Sequence, residues 1–408
     1  MGSPESGLLK DWDWRTEPSM PSLSIILSIV AVGIWTYLLL FRGGFWREVP
    51  RRVPGTVSES WPGVVVVTPA RNEADVVEQS MAALLAQDYP GALQIVLVDD
   101  DSTDGTAEAA ARAAANAQTQ HRLTVIRNDG MAPGWTGKLW AVNRGLGEAE
   151  RLAPQAKYVL LTDADILHEP TSVKQLVARA EHGGCKLVSL MARLKTETLA
   201  ERALIPAYIF YFQKLYPFSW VSDPAHKMAG AAGGCMLVDR AALNAIGGIG
   251  AIRDQLIDDC ALGKAIKAQG PIWLGLADGV ASLRGYPRWA DVWMLIARSA
   301  FTQLGFSAAM LVVATVSMLA TYVMPPLLTV FAEGSARLVA LVAWLMMALA
   351  YQPTLRYHHL APLWALALPL VAAFYTAATI DSALRYWSGR GGQWKGRMQA
   401  SRRIEDRA

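Results

Sequence analysis

Asp163 and Asp165 stand one residue apart, directly after an apolar run, in the stretch YVLLTDADI. Two carboxylates at this spacing can reach one hard cation from a turn, and Mg²⁺ or Mn²⁺ typically takes one or two protein carboxylates and fills its shell with water and phosphate oxygens. A helix cap or a solvated turn would need no cation. Because the pair follows what reads as a buried strand, we expect both aspartates to bind a divalent metal.

Polar residues also follow two other apolar runs, VVVVT at 64–68 and IVLV at 95–98. In α/β sheets, ligands bind beyond the carboxyl ends of the strands. Carboxylates there can accept from the imide N–H of a uracil or bind a ribose hydroxyl, whereas Ser102 and Thr103 read as caps of the next helix. The residues that follow or end these two runs are Pro69, Arg71, Asn72, Glu73, Asp99 and Asp100.

A Gly-rich loop, PGWTGKLWAVNRG at 133–145, runs into a predicted helix and carries Lys138. Backbone N–H groups at a helix start, with a lysine alongside, can hold a diphosphate. The GxxxxGK[ST] spacing of a P-loop is absent. An ordinary first turn with a solvated lysine explains the stretch equally well.

Asp258 and Asp259 open the predicted helix in IDDCALGKAIKAQG, at 257–270. Acidic residues favour a helix N-terminus, so capping is one explanation. The other is catalysis, because a carboxylate can deprotonate an acceptor hydroxyl as its oxygen attacks a sugar carbon.

The elements that carry these residues alternate between strand and helix from about residue 60 to 285. Continuous apolar runs fit strands that are covered on both faces, and the segments between them have helical spacing. This pattern predicts an α/β fold with a mainly parallel sheet.

Four apolar runs, at 22–41, 308–331, 338–351 and 361–380, raise the hydrophobic share of the 408 residues to 52% and leave 18% charged. About 20 apolar residues cross a bilayer. The first and last runs reach that length, Pro325 and Pro326 break the second, and the third is short. The first reads as an anchor rather than a cleaved signal peptide.

Basic residues set the expected orientation through the positive-inside rule. More of them follow the first apolar run than precede it, which predicts a multi-pass protein of the cell (inner) membrane with a cytoplasmic catalytic domain. Four full spans would then leave the basic tail outside, so we expect that one C-terminal run, the proline-broken or the short one, does not span fully. The residues behind the bias are Lys10 and Arg15 before the run, and Arg42, Arg47, Arg51 and Arg52 after it.

The remaining composition excludes several classes of protein. A net charge of +3 is too small to indicate nucleic acid binding. Cys185, Cys235 and Cys260 form no CxxC pair, so neither a disulfide framework nor a zinc site is expected.

PARNEA at 69–74, VDDDSTDGT at 98–106, DAD at 163–165 and DDCAL at 258–262 occur in an order that resembles the family 2 glycosyltransferases. The resemblance implies the GT-A (nucleotide-diphospho-sugar transferase) fold, nucleotide-binding aspartates in VDDDSTDGT and a metal site in DAD. The residues that it places around the nucleotide sugar are Pro69, Arg71, Asn72, Glu73, Asp99, Asp100, Lys138 and Asp163. DDCAL is similar to the family's Glu-Asp-x-x-Leu motif with Asp258 in place of Glu, which puts the base at Asp259. GGCMLVDR at 233–240 resembles the stretch that lines the acceptor side.

The QxxRW motif of processive members is missing, because no glutamine precedes Arg288-Trp289 at the required position. Transfer of a single sugar is therefore expected, and Arg298 is the expected substitute cation facing the phosphates. The resemblance also implies that the transfer inverts the sugar carbon. Within the family, RSAFTQLGFS at 298–307 and WKGR at 394–397 look most like the membrane-anchored hopanoid-associated (hopene-associated) glycosyltransferases.

Residues 288–306 read as one amphipathic helix that lies in the membrane interface, which suits a lipid acceptor. A core helix packed on the sheet is the alternative. The expected organisation is a polar segment (1–21), an anchor (22–41), the GT-A domain (42–287), the interfacial helix (288–306), a C-terminal transmembrane region of two or three spans (308–380) and a basic tail (381–408).

Two other functions compete with sugar transfer to a lipid hydroxyl. Transfer to a polyprenyl phosphate would need no base, because that acceptor oxygen is already ionised. A non-catalytic membrane transporter or scaffold belongs to another class, but the apolar runs carry almost none of the intramembrane charges that a transport path often needs.

Overall fold

The structure, a computed structural model, describes residues 22–47, 60–117, 122–128 and 130–390, and the backbone of 393–394 and 397–398. The predicted polar segment at 1–21, the arginines at 51 and 52, and the basic tail beyond residue 390 lie outside the residues whose side chains are described.

An eight-stranded sheet forms the centre of the domain between the apolar runs. Its strands are β1 Val64–Ala70, β2 Leu93–Asp99, β3 Leu123–Arg127, β4 Tyr158–Thr162, β5 Ile166–His168, β6 Leu187–Arg193, β7 Cys235–Asp239 and β8 Ile272–Ser282, in the order β3-β2-β1-β4-β7-β6-β8-β5. β1 pairs in parallel with β2 and β4, β2 with β3, and β6 with β8, while β7 and β5 run antiparallel to their neighbours. The sheet is mixed and mostly parallel, as predicted.

Helices cover both faces of the sheet. In chain order the helices are α1 Leu23–Phe41, α2 Val77–Leu85, α3 Thr106–Asn116, α4 Gly137–Leu152, α5 Ser172–Gly183, α6 Leu199–Leu215, α7 Phe218–Ser222, α8 Arg240–Ala245, α9 Asp258–Lys267, α10 Trp289–Ala297, α11 Ala300–Gln303, α12 Ala308–Met318, α13 Met324–Phe331, α14 Gly334–Tyr357 and α15 Leu368–Trp387. Two very short strands, β9 Gln393–Trp394 and β10 Arg397–Met398, pair after α15.

The apolar strands are buried on both faces because side chains alternate between two layers. Val64 and Val66 of β1 pack with α2, α3 and α5, while Val65 and Val67 pack with α4, α8 and α9. All seven residues of β1 are buried. This two-sided cover fixes the strands, so their carboxyl ends present a stable edge for a site.

Four helices are long and apolar enough to cross a membrane, namely Leu23–Phe41, Ala308–Phe331, Gly334–Tyr357 and Pro362–Trp387. The short third run lies inside the 24-residue α14, and the proline-broken run stays helical through a π segment, Leu319–Val323, ahead of Pro325. Length therefore singles out neither run as too short to span. α1 packs on this group, with Ser28 Oγ donating to the Ala336 carbonyl at 3.0 Å.

The prediction of one helix over 288–306 is wrong, since α10 ends at Ala297 and α11 begins at Ala300. The break lies where the N–H of Phe301 donates to Ser382 Oγ of α15, at 3.0 Å, and where Phe301 is buried. The apolar face of α10 packs on α6 and α15, with Val292 and Ile296 buried, while Trp289 stays about half exposed.

Candidate active site

The carboxyl ends of β1, β2 and β4 lie side by side, because β1 pairs in parallel with both neighbours. The strands run slightly further than expected, since Pro69 and Ala70 still belong to β1 and Asp99 ends β2. The carbonyl of Ala70 faces β2, where it accepts from Asp100 N–H. The backbone of Pro69 therefore faces β4. The pairing of β1 with β4 ends at Val67, so the absence of an N–H on Pro69 costs no hydrogen bond.

The loops after β1 and β2 are bonded to each other. Asn72 donates its N–H to Ser102 Oγ and accepts from Thr103 N–H, each at 3.0 Å. The prediction that Ser102 and Thr103 cap the next helix is wrong, because they hold Asn72 instead. Glu73 N–H donates to Thr106 Oγ1 at 2.9 Å. Asn72 sits in the left-handed region with φ of 50°, which Asn tolerates better than most residues.

Asp99 and Asp100 are almost fully buried, and both bind within the protein. Asp99 Oδ1 accepts from Ser102 N–H at 3.1 Å, and Asp100 Oδ1 accepts from Asn128 Nδ2 at 2.7 Å. Arg71 donates to the Asp100 carbonyl and lies 3.7 Å from its carboxylate. These groups hold the strand-end loops together, and their contact with a nucleotide stays a prediction.

Lys138 joins two motifs that are far apart in the sequence. Its Nζ lies 3.0 Å from Asp163 Oδ1 and 3.2 Å from Asp258 Oδ2. Thr136 caps α4 and so places Lys138 in its first turn. Although burial opposes a charge here, the two carboxylates raise the pKa of Lys138, which keeps the ammonium charged. The sequence indicated a diphosphate for this lysine and did not indicate the ion pairs.

Asp259 lies next to this cluster and is held through both of its oxygens. Oδ2 accepts from Gly233 N–H at 2.9 Å, and Oδ1 accepts from Cys260 N–H at 2.7 Å. A Cβ at position 233 would lie 3.4 Å from Asp259 Oδ2 and 3.5 Å from Lys138 Nζ, so both side chains lie beside Gly233. Burial and the neighbouring Asp258 raise the pKa of Asp259 to about 6. A carboxyl with that pKa is suited to accepting a proton near neutral pH.

Asp165 belongs to a second ion network. Its Oδ2 accepts from Ser282 Oγ at 3.1 Å and from Arg284 Nε at 3.3 Å. Arg284 also pairs with Glu73. Arg284 is the residue that sequence reasoning missed, although it follows β8, and polar residues after strand ends were the signal used elsewhere.

The two carboxylates of the DAD turn fit a divalent metal. Asp163 Oδ2 and Asp165 Oδ1 make no hydrogen bond or ion pair within the described ranges, so each aspartate keeps one oxygen for a ligand. No group of three or more potential ligands occurs among the residues that the structure describes. Two carboxylates, with phosphate oxygens completing the shell, match what Mg²⁺ accepts.

Arg298 lies at the carboxyl end of α10 and is exposed. The charge of Arg298 acts on Tyr208, as does that of Asp259. It also acts on Tyr286, as does the charge of Asp165. Arg298 is thus on the side of the domain that carries the site. Its contact with a phosphate stays a prediction.

An apolar cavity of about 280 Å³ opens beside Asp259 and extends to the apolar helices. Ligand pockets in proteins are commonly roughly 300–1,000 Å³ and mostly apolar, with a few polar groups. The cavity wall includes Asp259, Tyr208, Lys214, Met318 and Thr376, which come from α9, α6, α12 and α15. One candidate catalytic carboxylate therefore faces a space that the membrane-spanning candidates help to enclose.

Residues 65–247 match the model of Glycosyl transferase family 2. An undecaprenyl-phosphate 4-deoxy-4-formamido-L-arabinose transferase of Yersinia enterocolitica is 32% identical over 132 residues, which cover 31% of this chain and 36% of the relative. An N-acetylglucosaminyltransferase of Mesorhizobium japonicum is 25% identical over 199 residues, 46% of this chain and 44% of the relative. The chain spans less than half of the length of these curated relatives.

Among solved structures, a mannosyltransferase of Pyrobaculum calidifontis in complex with GDP-Man and Mn²⁺ aligns with 90% of this chain and 99% of its own. The TM-score is 0.53 and the identity 21%. The likeness is one of fold, and it confirms the predicted GT-A fold.

Proposed function

Because residues 65–247 carry a family 2 glycosyltransferase domain, we propose that the chain transfers a single sugar from a nucleotide-diphosphate sugar to a lipid that stays in the membrane, with inversion. The domain would face the cytoplasm at the cell (inner) membrane. The cavity is the observation that supports a lipid acceptor, because Asp259 and residues of the apolar helices line it together.

The proposed base is Asp259. With a pKa of about 6, the Asp259 carboxyl is ionised in most molecules at neutral pH. The N–H groups of Gly233 and Cys260 orient its oxygens. Asp259 takes the proton of the acceptor hydroxyl while that oxygen bonds to the sugar carbon and the bond from this carbon to the diphosphate breaks. Attack opposite to the leaving group inverts the carbon.

On the donor side, Asp163 and Asp165 would hold Mg²⁺ or Mn²⁺. When bound, the cation offsets the charge that develops on the leaving nucleoside diphosphate. The fold neighbour that binds GDP-Man together with Mn²⁺ supports this assignment. Lys138, Arg71, Asn72, Glu73 and the other strand-end residues would surround the nucleotide.

The acceptor class has two candidates. RSAFTQLGFS at 298–307, which resembles a stretch of the hopanoid-associated transferases, supports an acceptor in hopanoid biosynthesis. The Yersinia enterocolitica relative, an undecaprenyl-phosphate transferase, supports a polyprenyl phosphate. Full activity of an Asp259→Asn variant would favour the phosphate acceptor, since that oxygen needs no base.

Calorimetric titration of the detergent-purified full chain with a panel of nucleoside diphosphates, with and without Mn²⁺, tests the donor site. We expect one nucleotide to bind in a metal-dependent way, and Asp165→Ala to weaken it at least about tenfold, because a metal ligand is lost. Asp88→Ala is the control, since this residue is 68% exposed and lies in an ion pair with Lys174. A folded protein that binds no nucleotide would support the scaffold instead.

A further inference from the structure

Lys214, in the last turn of α6, lines the cavity without a carboxylate partner in the described part of the chain. Its Nζ lies 4.7 Å from the ring centroid of Tyr322, 5.3 Å from that of Tyr211, and 3.9 Å from Met318 Sδ. The ring faces attract a cation, but they do not neutralise it.

The other charge that acts on Lys214 is Arg42, which is also positive. Burial and this repulsion lower the pKa of Lys214 to about 8. Arg42 itself is engaged, because it donates to the carbonyls of Lys214 and Leu215 at 3.1 and 3.2 Å and lies over the Trp220 ring. The ammonium of Lys214 therefore gives the apolar cavity an unbalanced positive charge.

An apolar space with one unbalanced ammonium complements an amphiphile that carries an anion. A buried charge is costly unless a partner of opposite sign compensates it, so an anionic ligand gains from Lys214 what a neutral one cannot. The α12 wall belongs to a candidate membrane span, and α15 packs against α12, so a lipid is the amphiphile at hand. Asp259 also lines the cavity, but its oxygens accept from the N–H groups of Gly233 and Cys260, and it forms no ion pair with Lys214 within the described residues.

We propose that this cavity binds the acceptor lipid, with a phosphate group of the lipid beside the Lys214 ammonium and its apolar body against α12 and α15. The inference rests on the proposed function and narrows its acceptor to lipids that carry a phosphate. It makes Lys214 a specificity-determining residue.

Two lipids that differ only in the head group provide the test. Dioleoylphosphatidic acid and dioleoylglycerol share their chains, and only the first has a phosphate. Native mass spectrometry of the full chain, released from detergent with each lipid in turn, measures binding without catalysis. We expect the phosphatidic acid to bind at least about tenfold more tightly, as a charge-assisted hydrogen bond would give. Equal binding of the two lipids would overturn the proposal.

Variants of single lysines show which residue causes the preference for phosphatidic acid. Lys214→Met keeps the unbranched apolar stem and should abolish the preference for phosphatidic acid, while Lys214→Arg should keep it. Lys227→Met removes an exposed lysine that does not line the cavity, and it should change nothing. A preference that survives Lys214→Met would contradict the assignment.

A cavity-filling variant separates this site from lipid bound around the spans. Ala314→Trp would occupy the cavity and should remove the bound phosphatidic acid. Val312→Trp, on the exposed side of the same helix, should not. If phosphatidic acid stayed bound to Ala314→Trp, its phosphate would be recognised elsewhere, as an ordinary membrane lipid.

Nucleotide titration of the same preparations tests donor binding separately from lipid binding. Lys214→Met should bind the nucleoside diphosphate as the unchanged chain does. A chain that selects phosphatidic acid through Lys214 but binds no nucleotide would refute the proposed function and leave the lipid site standing.

Discussion

At the scale of single residues, Lys138 is the centre of the candidate site. Each of its two partners, Asp163 and Asp258, was assigned a role from its own motif. The motifs were visible because polar residues interrupt apolar patterns. The sequence could not show that one ammonium bridges these motifs, because a pattern along the chain contains no distance between a strand end and a helix start. Arg284 was missed for a related reason, since a single arginine after β8 forms no motif.

The raised pKa of Asp259 predicts the pH profile of the reaction. A base must be deprotonated to act, so kcat/KM should be level above pH 7 and fall about tenfold per pH unit below the pKa of about 6. An unperturbed aspartate would place this limb near pH 4 instead. Steady-state rates with saturating metal and donor between pH 4.5 and 8.5 measure it.

Asp259→Asn is the matched variant for this profile, because it keeps the size of the side chain. Where the acceptor oxygen is a hydroxyl, this variant should lower kcat roughly 10²–10⁴-fold and remove the acid limb. A limb that persists in Asp259→Asn would belong to another group, for example an ionising acceptor phosphate.

At the scale of elements, strands were easier to predict than the helices near the membrane. β1, β2 and β4 are short apolar runs ended by polar residues, and the structure has each within two residues of expectation. α6, LAERALIPAYIFYFQKL, was not anticipated, because it is apolar around most of its circumference and contains Pro206. Such a helix is largely buried, here between the sheet and the apolar helices. Only the packing of the whole chain explains it.

The N-terminal cap of α6 should contribute to stability. Thr198 accepts from Glu201 N–H, and Glu201 accepts from Thr198 N–H in return, which completes a capping box. Thr198→Ala should lower the free energy of unfolding by about 1 kcal/mol, since an N–H at the helix start loses its partner. Thermal unfolding of the detergent-solubilised chain measures the change.

Thr171→Ala provides the control for this cap. Thr171 precedes α5 in the same way but makes no capping hydrogen bond. Its replacement should shift the melting temperature by clearly less than Thr198→Ala. Equal shifts would mean that the hydrogen bond at Thr198 contributes little.

At the scale of the molecule, both ends of the last apolar helix lie on the side of the catalytic domain. α14 ends there, because Tyr357 donates to the Ala277 carbonyl of β8 at 2.8 Å, and the Pro362 carbonyl accepts from Gln352 of α14. At the other end of α15, Trp293 of α10 donates to Asp381 at 2.7 Å. A helix with both ends on one side cannot cross roughly 30 Å of hydrocarbon. We infer three crossings, by α1, α12–α13 and α14, with α15 along the domain.

This arrangement removes the conflict between four spans and the basic tail, and it can be tested by labelling single cysteines with a membrane-impermeant maleimide in right-side-out vesicles. Glu333→Cys, between α13 and α14, should react from outside. Ser388→Cys, after α15, should react only once the vesicles are permeabilised. His359→Cys serves as the marker for the side of the catalytic domain. Glu333, His359 and Ser388 are all exposed. Cys260→Ala gives a background in which the remaining cysteines are buried. A Ser388→Cys chain labelled in intact vesicles would restore the fourth crossing.

If the acceptor is a membrane lipid, as proposed, the position of the cavity between Asp259 and the candidate membrane spans also determines how the acceptor concentration must be expressed. A substrate that arrives from water is counted in moles per litre, whereas a lipid that arrives sideways is counted as a fraction of the molecules in its leaflet. Adding inert detergent or lipid at constant total acceptor would then slow the reaction by dilution in two dimensions, while the water-soluble donor would be unaffected. Saturation would be governed by the composition of the membrane around the protein.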